Sequence, residues 1–328
     1  MTTNILVLEK YADIYERALT KEFSSIAIHK AATMADIKVD LATVDVLFAF
    51  GIAIDDGLIA RMKNLKWIAS LATGVDHFLR CPSLKPETLI TSARGIHGPS
   101  MRESAAWLML AVSRDAARLV HAKDAHRWER GERWPLLAGK TAAIVGIGVS
   151  GIAIGELLKA FGMRVIGVSR TPRDIAGFDA MRPTDQLAQV AAEADYLIDV
   201  LPASTENRGI FSRAVFAAMK PSAVFINVGR GETVDETALI ECLREKRIAG
   251  AGLDVFQNSP LRPNSPFWDL PNVVVSPQQG GYFVGYEEHV MPLLMENMRR
   301  FLAGRVGEME NVVAHTSAHI SSPPPRRG

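Results

Sequence analysis

Short apolar runs punctuate the chain, and segments with helical patterning fill the intervals between them. Ile5 to Leu8, Ile26 to Ile28, Val44 to Phe50 and Trp67 to Ser70 are the runs of the first part. A strand covered on both faces shows no polar alternation, so this pattern predicts β/α units around a buried parallel sheet. Turn formers cluster in Ala93-Arg-Gly-Ile-His-Gly-Pro99, and the stretch from Ser100 to Arg127 is rich in Ala, Leu and Met, with Glu103 near its start. That order predicts a linker and then one long helix. Gly131, Pro135 and Gly139 break the next segment into a loop.

From Lys140 onward the pattern is regular. Thr141 to Val145, Arg164 to Val168, Tyr196 to Val200, Val224 to Val228, Gly250 to Val255 and Val273 to Ser276 read as six strands, most of them separated by helical segments. Strands joined by crossover helices predict an α/β fold with a doubly wound parallel sheet. A last helical stretch runs to about Leu302, and Glu310 to Val313 is expected to return to the first domain. The predicted organisation is one domain from 1–95 with 284–314, a second from 96–283, and a disordered tail over 315–328 that ends in Ser-Ser-Pro-Pro-Pro-Arg-Arg-Gly.

Composition narrows the classes of function. The 328 residues are 48% hydrophobic and 22% charged, as in an ordinary globular protein of two domains. Thirty-seven basic residues against thirty-six acidic ones leave +1, no field for gathering nucleic acid. Apolar stretches such as Ala105 to Val112 fall short of the ~18 residues that cross a bilayer, and the amino terminus lacks a secretory signal pattern. Cys81 and Cys242, far apart and outside any C-x-x-C pair, suit a reducing cytoplasm rather than a disulfide scaffold. No H-E-x-x-H occurs, and His121 and His126 are five apart, so no metal is expected.

Gly146-Ile-Gly-Val-Ser-Gly151 lies between a predicted strand and a predicted helix. In that setting Gly146 permits the tight turn, Gly148 admits a pyrophosphate, and Gly151 lets the helix pack against the sheet. The amides of Val149, Ser150 and Gly151 at the helix start then hold the anion. At the end of the next strand a site for NAD normally offers a carboxylate to the ribose. Here Ser169 stands in that slot, 23 residues after Gly146, followed by Arg170, Thr171 and Arg173. Guanidinium groups and no carboxylate suit a 2′-phosphate, so NADP(H) is expected, with NAD(H) the lesser choice.

Other motifs carry a family resemblance. Leu201-Pro202 with Thr205, Asn227-Val-Gly-Arg-Gly231, Ala251-Gly-Leu-Asp-Val-Phe256 and the segment from Ser265 to Val273 stand in the order and spacing of the D-isomer-specific 2-hydroxyacid dehydrogenases. Ala72-Thr-Gly-Val-Asp76 and Arg94-Gly-Ile-His-Gly-Pro99 resemble them as well. Within the family the chain looks most similar to the glyoxylate and hydroxypyruvate reductase branch. The resemblance implies a Rossmann-type cofactor domain, a flavodoxin-like substrate domain, a cleft between them that takes a small carboxylate-bearing substrate, and a homodimer. It implies that Leu201, Pro202, Val228, Gly229, Arg230 and Asp254 frame the cofactor, that Arg230 grips the substrate, and that Thr73, Gly74 and Val75 offer main-chain groups to its carboxylate.

Two positions depart from the family pattern. The family's Glu precedes the proline of an Asp-Val-Phe-x-x-Glu-Pro arrangement, where this chain has Ser259; the family's His follows a later proline, where this chain has Gln278. The two losses agree, because a carboxylate that raises an imidazole pKa has no task once the imidazole is gone. Gln278 can donate a hydrogen bond to a carbonyl oxygen, but an amide supplies no proton near neutral pH. Substitute donors are Tyr282, His97, His77 or a water held by Ser259 and Gln278. The expected function is NADP-dependent hydride transfer to or from a 2-oxo or 2-hydroxy acid through an Arg-Ser-Gln site. Its alternatives are an NADP(H)-binding regulatory protein with impaired turnover, and hydride transfer to a substrate that needs no general acid. The loop from Trp128 to Trp134, with two indoles and two arginines, is either an active-site cover or an amphipathic surface loop.

Overall fold

The computed structural model describes residues 2–51 and 54–313. They divide into two compact units: the residues up to Ile96 together with those from Val284 onward, and His97–Phe283. The tail expected over 315–328 lies outside the described residues.

The first unit is built on β1 (Thr3–Leu8), β2 (Ile26–Ala31), β3 (Val46–Ala49), β4 (Trp67–Ser70) and β5 (Leu89–Thr91), all parallel, in the order β2-β1-β3-β4-β5. That is the flavodoxin-like order. Ile5, Leu6, Val7, Leu47, Phe48, Trp67 and Ile68 are fully buried, which is why these strands read as unbroken apolar runs. The sequence pattern did not predict β5, three residues long; the Trp67 indole ties it to β4 by donating to Thr91 Oγ1 at 3.0 Å. Helices α1 (Ala12–Glu22), α2 (Asp56–Arg61) and α3 (Asp76–Leu79) connect the strands.

In the second unit the expected long helix is two helices, α4 (Gly98–Ser113) and α5 (Ala116–Asp124). The break falls at Asp115, whose φ of 51° is left-handed, a region that Asp enters at lower cost than most residues. Its carboxylate accepts from Arg118 Nε at 2.8 Å, in the first turn of α5. The sheet has seven parallel strands: β6 (Thr141–Val145), β7 (Arg164–Ser169), β8 (Ala180–Pro183), β9 (Tyr196–Asp199), β10 (Val224–Asn227), β11 (Gly250–Leu253) and β12 (Val273–Val275). Their order, β12-β11-β10-β9-β6-β7-β8, reverses direction between β6 and β9, as in a doubly wound Rossmann sheet. Six of these strands match the predicted runs. The extra strand, β8, is a half-buried edge ending in Pro183, where an absent amide costs no ladder bond. Crossovers include α6 (Val149–Ala160), α7 (Leu187–Glu193), α8 (Arg213–Ala218) and α9 (Glu236–Arg244).

The chain then returns to the first unit through α10 (Tyr286–Leu302). Beyond it, Val313 N donates to Ile90 O at 2.8 Å and Ser92 N to Asn311 O at 3.1 Å, which sets the last described residues beside β5.

Candidate functional site

Open parallel sheets bind ligands beyond the carboxyl ends of their strands, near the switch point. In the second unit the residues singled out in the sequence gather along that rim. Gly146 follows β6 with φ of 104°, and a side chain there would place its Cβ 2.9 Å from the Val200 carbonyl, so only glycine fits. A Cβ on Gly151 would stand 2.1 Å from Gly146 O, which shows how closely α6 packs on the turn. Gly148, at the helix cap, has nothing within 4 Å of the position its Cβ would take. The first turn of α6 carries no acidic residue, so its unpaired amides and the positive end of the helix face no competing carboxylate. Glycine cradle and helix start fit a dinucleotide pyrophosphate.

At the end of β7 Ser169 is half-buried, while Arg170, Thr171 and Arg173 are exposed beyond it. Among the described residues no acid pairs with either guanidinium. Leu201 and Pro202 follow β9, where Asn207 Nδ2 pins the Pro202 carbonyl at 2.9 Å. Val228, Gly229 and Arg230 follow β10. Arg230 is half-buried, with Nη1 donating to Gly229 O at 2.8 Å. Asn227 shapes this loop from both sides: its Oδ1 accepts from Gly229 N at 2.9 Å and its Nδ2 donates to Arg230 O at 3.2 Å.

Asp254, after β11, is buried and governs the turn that carries Gln278. Its Oδ1 accepts from Ser276 Oγ at 2.6 Å and Gln279 N at 3.0 Å, its Oδ2 from Gly280 N at 3.0 Å, and its carbonyl from Gln278 N at 2.9 Å. Held this way, Gln278 adopts a left-handed φ of 56° and exposes its side chain at the rim, just past β12. Ser259 is exposed in the loop after β11, ahead of a cis peptide to Pro260; among the described residues it makes no hydrogen bond to Gln278 or Arg230.

Of the substitute donors, His97 and Tyr282 flank the Gln278 turn. His97 is buried, and a Cβ on Gly281 would lie 3.1 Å from its Cδ2; Tyr282 is exposed, with its amide donating to Gln279 O at 3.0 Å. His77 sits in α3 of the first unit. In that unit Thr73, Gly74 and Val75 form the loop after β4. Its shape is set by Ser70, buried, whose Oγ lies 3.1 Å from Ala72 O and 3.3 Å from Gly74 O, both within reach of its one hydrogen.

Sequence reasoning missed three buried residues that shape these loops: Ser70 in the first unit, and Asp199 and Thr233 in the second. Asp199 ends the otherwise apolar β9 and is fully buried; burial pushes its carboxyl up to about 7, against the opposing pull of Thr233, the Leu201 amide and the Arg230 charge. A charged residue closing an apolar strand was the available signal. The loop from Trp128 to Trp134 is exposed, with Arg114 stacked 5.2 Å over the Trp134 ring and Arg127 paired with Glu129. Among the described residues no three His, Cys, Asp or Glu side chains group as a metal site, and no helix is long and apolar enough to cross a membrane.

The model of the D-isomer specific 2-hydroxyacid dehydrogenase NAD-binding domain matches residues 106–280, and the catalytic-domain model of the same family matches residues 5–78. The chain belongs to this family. It is an oxidoreductase of the kind that acts on the CH-OH group of 2-hydroxyacids, and its second unit is a domain for a nicotinamide dinucleotide. A glyoxylate reductase of Aeropyrum pernix is 32% identical over 267 residues, 77% of this chain and 78% of the relative. A family member from Aeromonas salmonicida superposes with a TM-score of 0.87 at 30% identity, over 96% of this chain and all of that one. An NADPH-dependent glyoxylate/hydroxypyruvate reductase of Sinorhizobium meliloti, solved with NADP and sulfate, gives 0.81 at 30% identity over 97% of this chain and all of that one.

Proposed function

We propose that this dehydrogenase is a cytoplasmic, homodimeric, NADP(H)-dependent reductase of small 2-oxo acids whose site is Arg230, Gln278 and Ser259. The observation that carries the reading is the shared rim: the Gly146–Gly151 turn, the arginines after β7 and Arg230 after β10 all stand at the carboxyl ends of one sheet. The names of the glyoxylate reductase relatives support the substrate class. Exposed Trp107, Val120, Trp128 and Leu136 on α4, α5 and the loop after them support association through that part of the second unit.

The amides of Val149, Ser150 and Gly151 bind the pyrophosphate, and Arg170 with Arg173, helped by Ser169 and Thr171, binds the 2′-phosphate. Leu201, Pro202, Val228, Gly229 and Asp254 line the rest of the cofactor's path. When bound, the cofactor supplies a hydride to the substrate carbonyl carbon. Arg230 offers a planar fork to the substrate carboxylate and carbonyl oxygen, fixing the face presented for transfer. The Thr73–Val75 loop is the first unit's candidate for the same carboxylate. Gln278 donates an amide hydrogen bond to the carbonyl oxygen, and a water held by Ser259 and Gln278 supplies the proton that converts the resulting alkoxide to the hydroxyl. Because neither side chain is itself a general acid, a second reading is that the preferred substrate leaves no oxygen to be protonated, or that NADP(H) occupancy serves regulation.

Calorimetric titration with NADPH and NADH tests the cofactor assignment. NADPH is expected to bind at least tenfold more tightly, and Arg170→Ala with Arg173→Ala to remove that preference while leaving NADH affinity in place. Equal affinities in the parent chain would contradict it. Steady-state oxidation of NADPH by glyoxylate and hydroxypyruvate tests the substrate class.

A further inference from the structure

Beneath the Arg230 loop lies a hydrogen-bond chain that the proposed mechanism leaves unused. Asp199 Oδ1 accepts from Leu201 N at 2.8 Å, and Oδ2 lies 2.5 Å from Thr233 Oγ1. The same Thr233 oxygen lies 2.6 Å from Arg230 O, and Thr233 is as fully buried as Asp199. A hydroxyl has one hydrogen to donate, and a backbone carbonyl can only accept. The Thr233 hydrogen therefore goes to Arg230 O, and the remaining contact, Asp199 to Thr233, needs its proton from the carboxyl. With Asp199 ionised, one hydrogen would have to serve both close contacts of the Thr233 hydroxyl, and one of them would be left as oxygen against oxygen at 2.5 or 2.6 Å, an arrangement that the burial of Asp199 and Thr233 penalises.

We propose that Asp199 is a positioning residue that works as a neutral acid: it donates to Thr233, Thr233 donates to the Arg230 carbonyl, and this relay fixes the backbone from which Arg230 holds the substrate carboxylate. The inference rests on the reading of Arg230 as the substrate anchor. Among the described residues the charge acting on Asp199 is the Arg230 guanidinium, which favours ionisation, while complete burial opposes it more strongly and holds the carboxyl at about 7. The sign follows: the relay is intact below neutrality and fails as pH rises through about 7, when ionised Asp199 draws the Thr233 hydrogen away. Arg230 O then leans on the Asn227 Nδ2 contact at 3.2 Å and a long Thr233 N contact at 3.4 Å.

Difference infrared spectroscopy of the whole chain carrying ¹³C-aspartate, between about pH 6 and about pH 9, reads the carbonyl stretch of a protonated carboxylic acid across the window set by the raised pKa. A protonated-aspartate band is expected at the lower pH, lost at the higher, and missing from Asp199→Asn at both. Asparagine reproduces the neutral acid, with Nδ2 donating to Thr233 and Oδ1 accepting from Leu201. With NADPH and glyoxylate as probe, KM is expected to rise roughly tenfold over that range in the parent chain and to stay level in Asp199→Asn, the loss of one buried hydrogen bond being the cause. Thr233→Val removes the acceptor, so it moves the band to higher frequency and raises KM at both pH values; it also assigns the band should Asp199→Asn fail to fold. A parent chain with no protonated-aspartate band at about pH 6, or an Asp199→Asn whose KM climbs as the parent's does, overturns the proposal. Absence of NADPH oxidation in the parent chain would instead sink the reductase reading, while the infrared result stands by itself.

Discussion

At the scale of single residues, the proposed site pairs a strong anion anchor, Arg230, with Gln278, which has no proton to give. Arg230 is held by its own loop through Gly229 and Asn227, so in the proposed reaction its guanidinium has few conformations to lose. The backbone beneath Gln278 is fixed as well, because Asp254 binds the turn on which it stands through three donors to the carboxylate and one to the carbonyl. A positioned general acid contributes about 10²- to 10⁴-fold, and an amide cannot replace that contribution. Gln278→His combined with Ser259→Glu is therefore expected to raise kcat for glyoxylate reduction by about 10²-fold or more, with Gln278→His alone giving less because its imidazole lacks the carboxylate that keeps it protonated. Steady-state kinetics of the three proteins checks this; a double variant no faster than the parent would place Gln278 away from the carbonyl oxygen.

At the scale of elements, the strands that carry the site were legible because both faces of the sheet are covered. Buried parallel strands appear as apolar runs, and the switch to Gly146-x-Gly148-x-x-Gly151 marks the strand-to-helix turn without ambiguity. Features that depend on one unusual backbone angle were not legible. Asp115 divides the helix predicted over 100–127, and nothing in the Ala-rich pattern around it distinguishes a left-handed aspartate from a helical one. The short edge strands β5 and β8 escaped for a different reason: Leu89-Ile-Thr91 and Ala180-Met-Arg-Pro183 mix apolar and polar residues at an edge, so neither stands out as a buried apolar run. Helix ends offer a test at this scale. Lys246 follows α9 with φ of 52°, while Arg247 N donates to Cys242 O at 2.9 Å, the closing bond of a helix terminus that favours glycine. Lys246→Gly is expected to stabilise the chain by about 1 kcal/mol, seen as a higher urea midpoint with unchanged slope. An equal or lower midpoint would mean that the lysine side chain contributes more than its backbone strain costs.

At the scale of the whole molecule, the chain is a family dehydrogenase in both units, each with its own parallel sheet. The rim of the second sheet could be assigned from sequence because its residues follow successive strands in order: Gly146 after β6, Ser169 at the end of β7, Leu201 after β9, Arg230 after β10, Asp254 after β11 and Gln278 after β12. The layer beneath it could not, since the tie between Asp199 and Thr233 joins the end of β9 to the turn after β10 and becomes visible only when β9 and β10 lie side by side. A nearly neutral chain supplies no long-range steering, so the proposed function leaves recognition of an anionic cofactor and an anionic substrate to these local guanidinium and amide groups. Single-turnover oxidation of enzyme-bound NADPH by glyoxylate, followed by stopped-flow fluorescence in the parent chain and in Arg230→Gln, tests that most directly. The account predicts that the parent consumes its bound NADPH and that Arg230→Gln, loaded with NADPH to saturation, does so about 10²-fold more slowly or worse. Equal rates in the two proteins, or bound NADPH that persists in the parent under saturating glyoxylate, would contradict it.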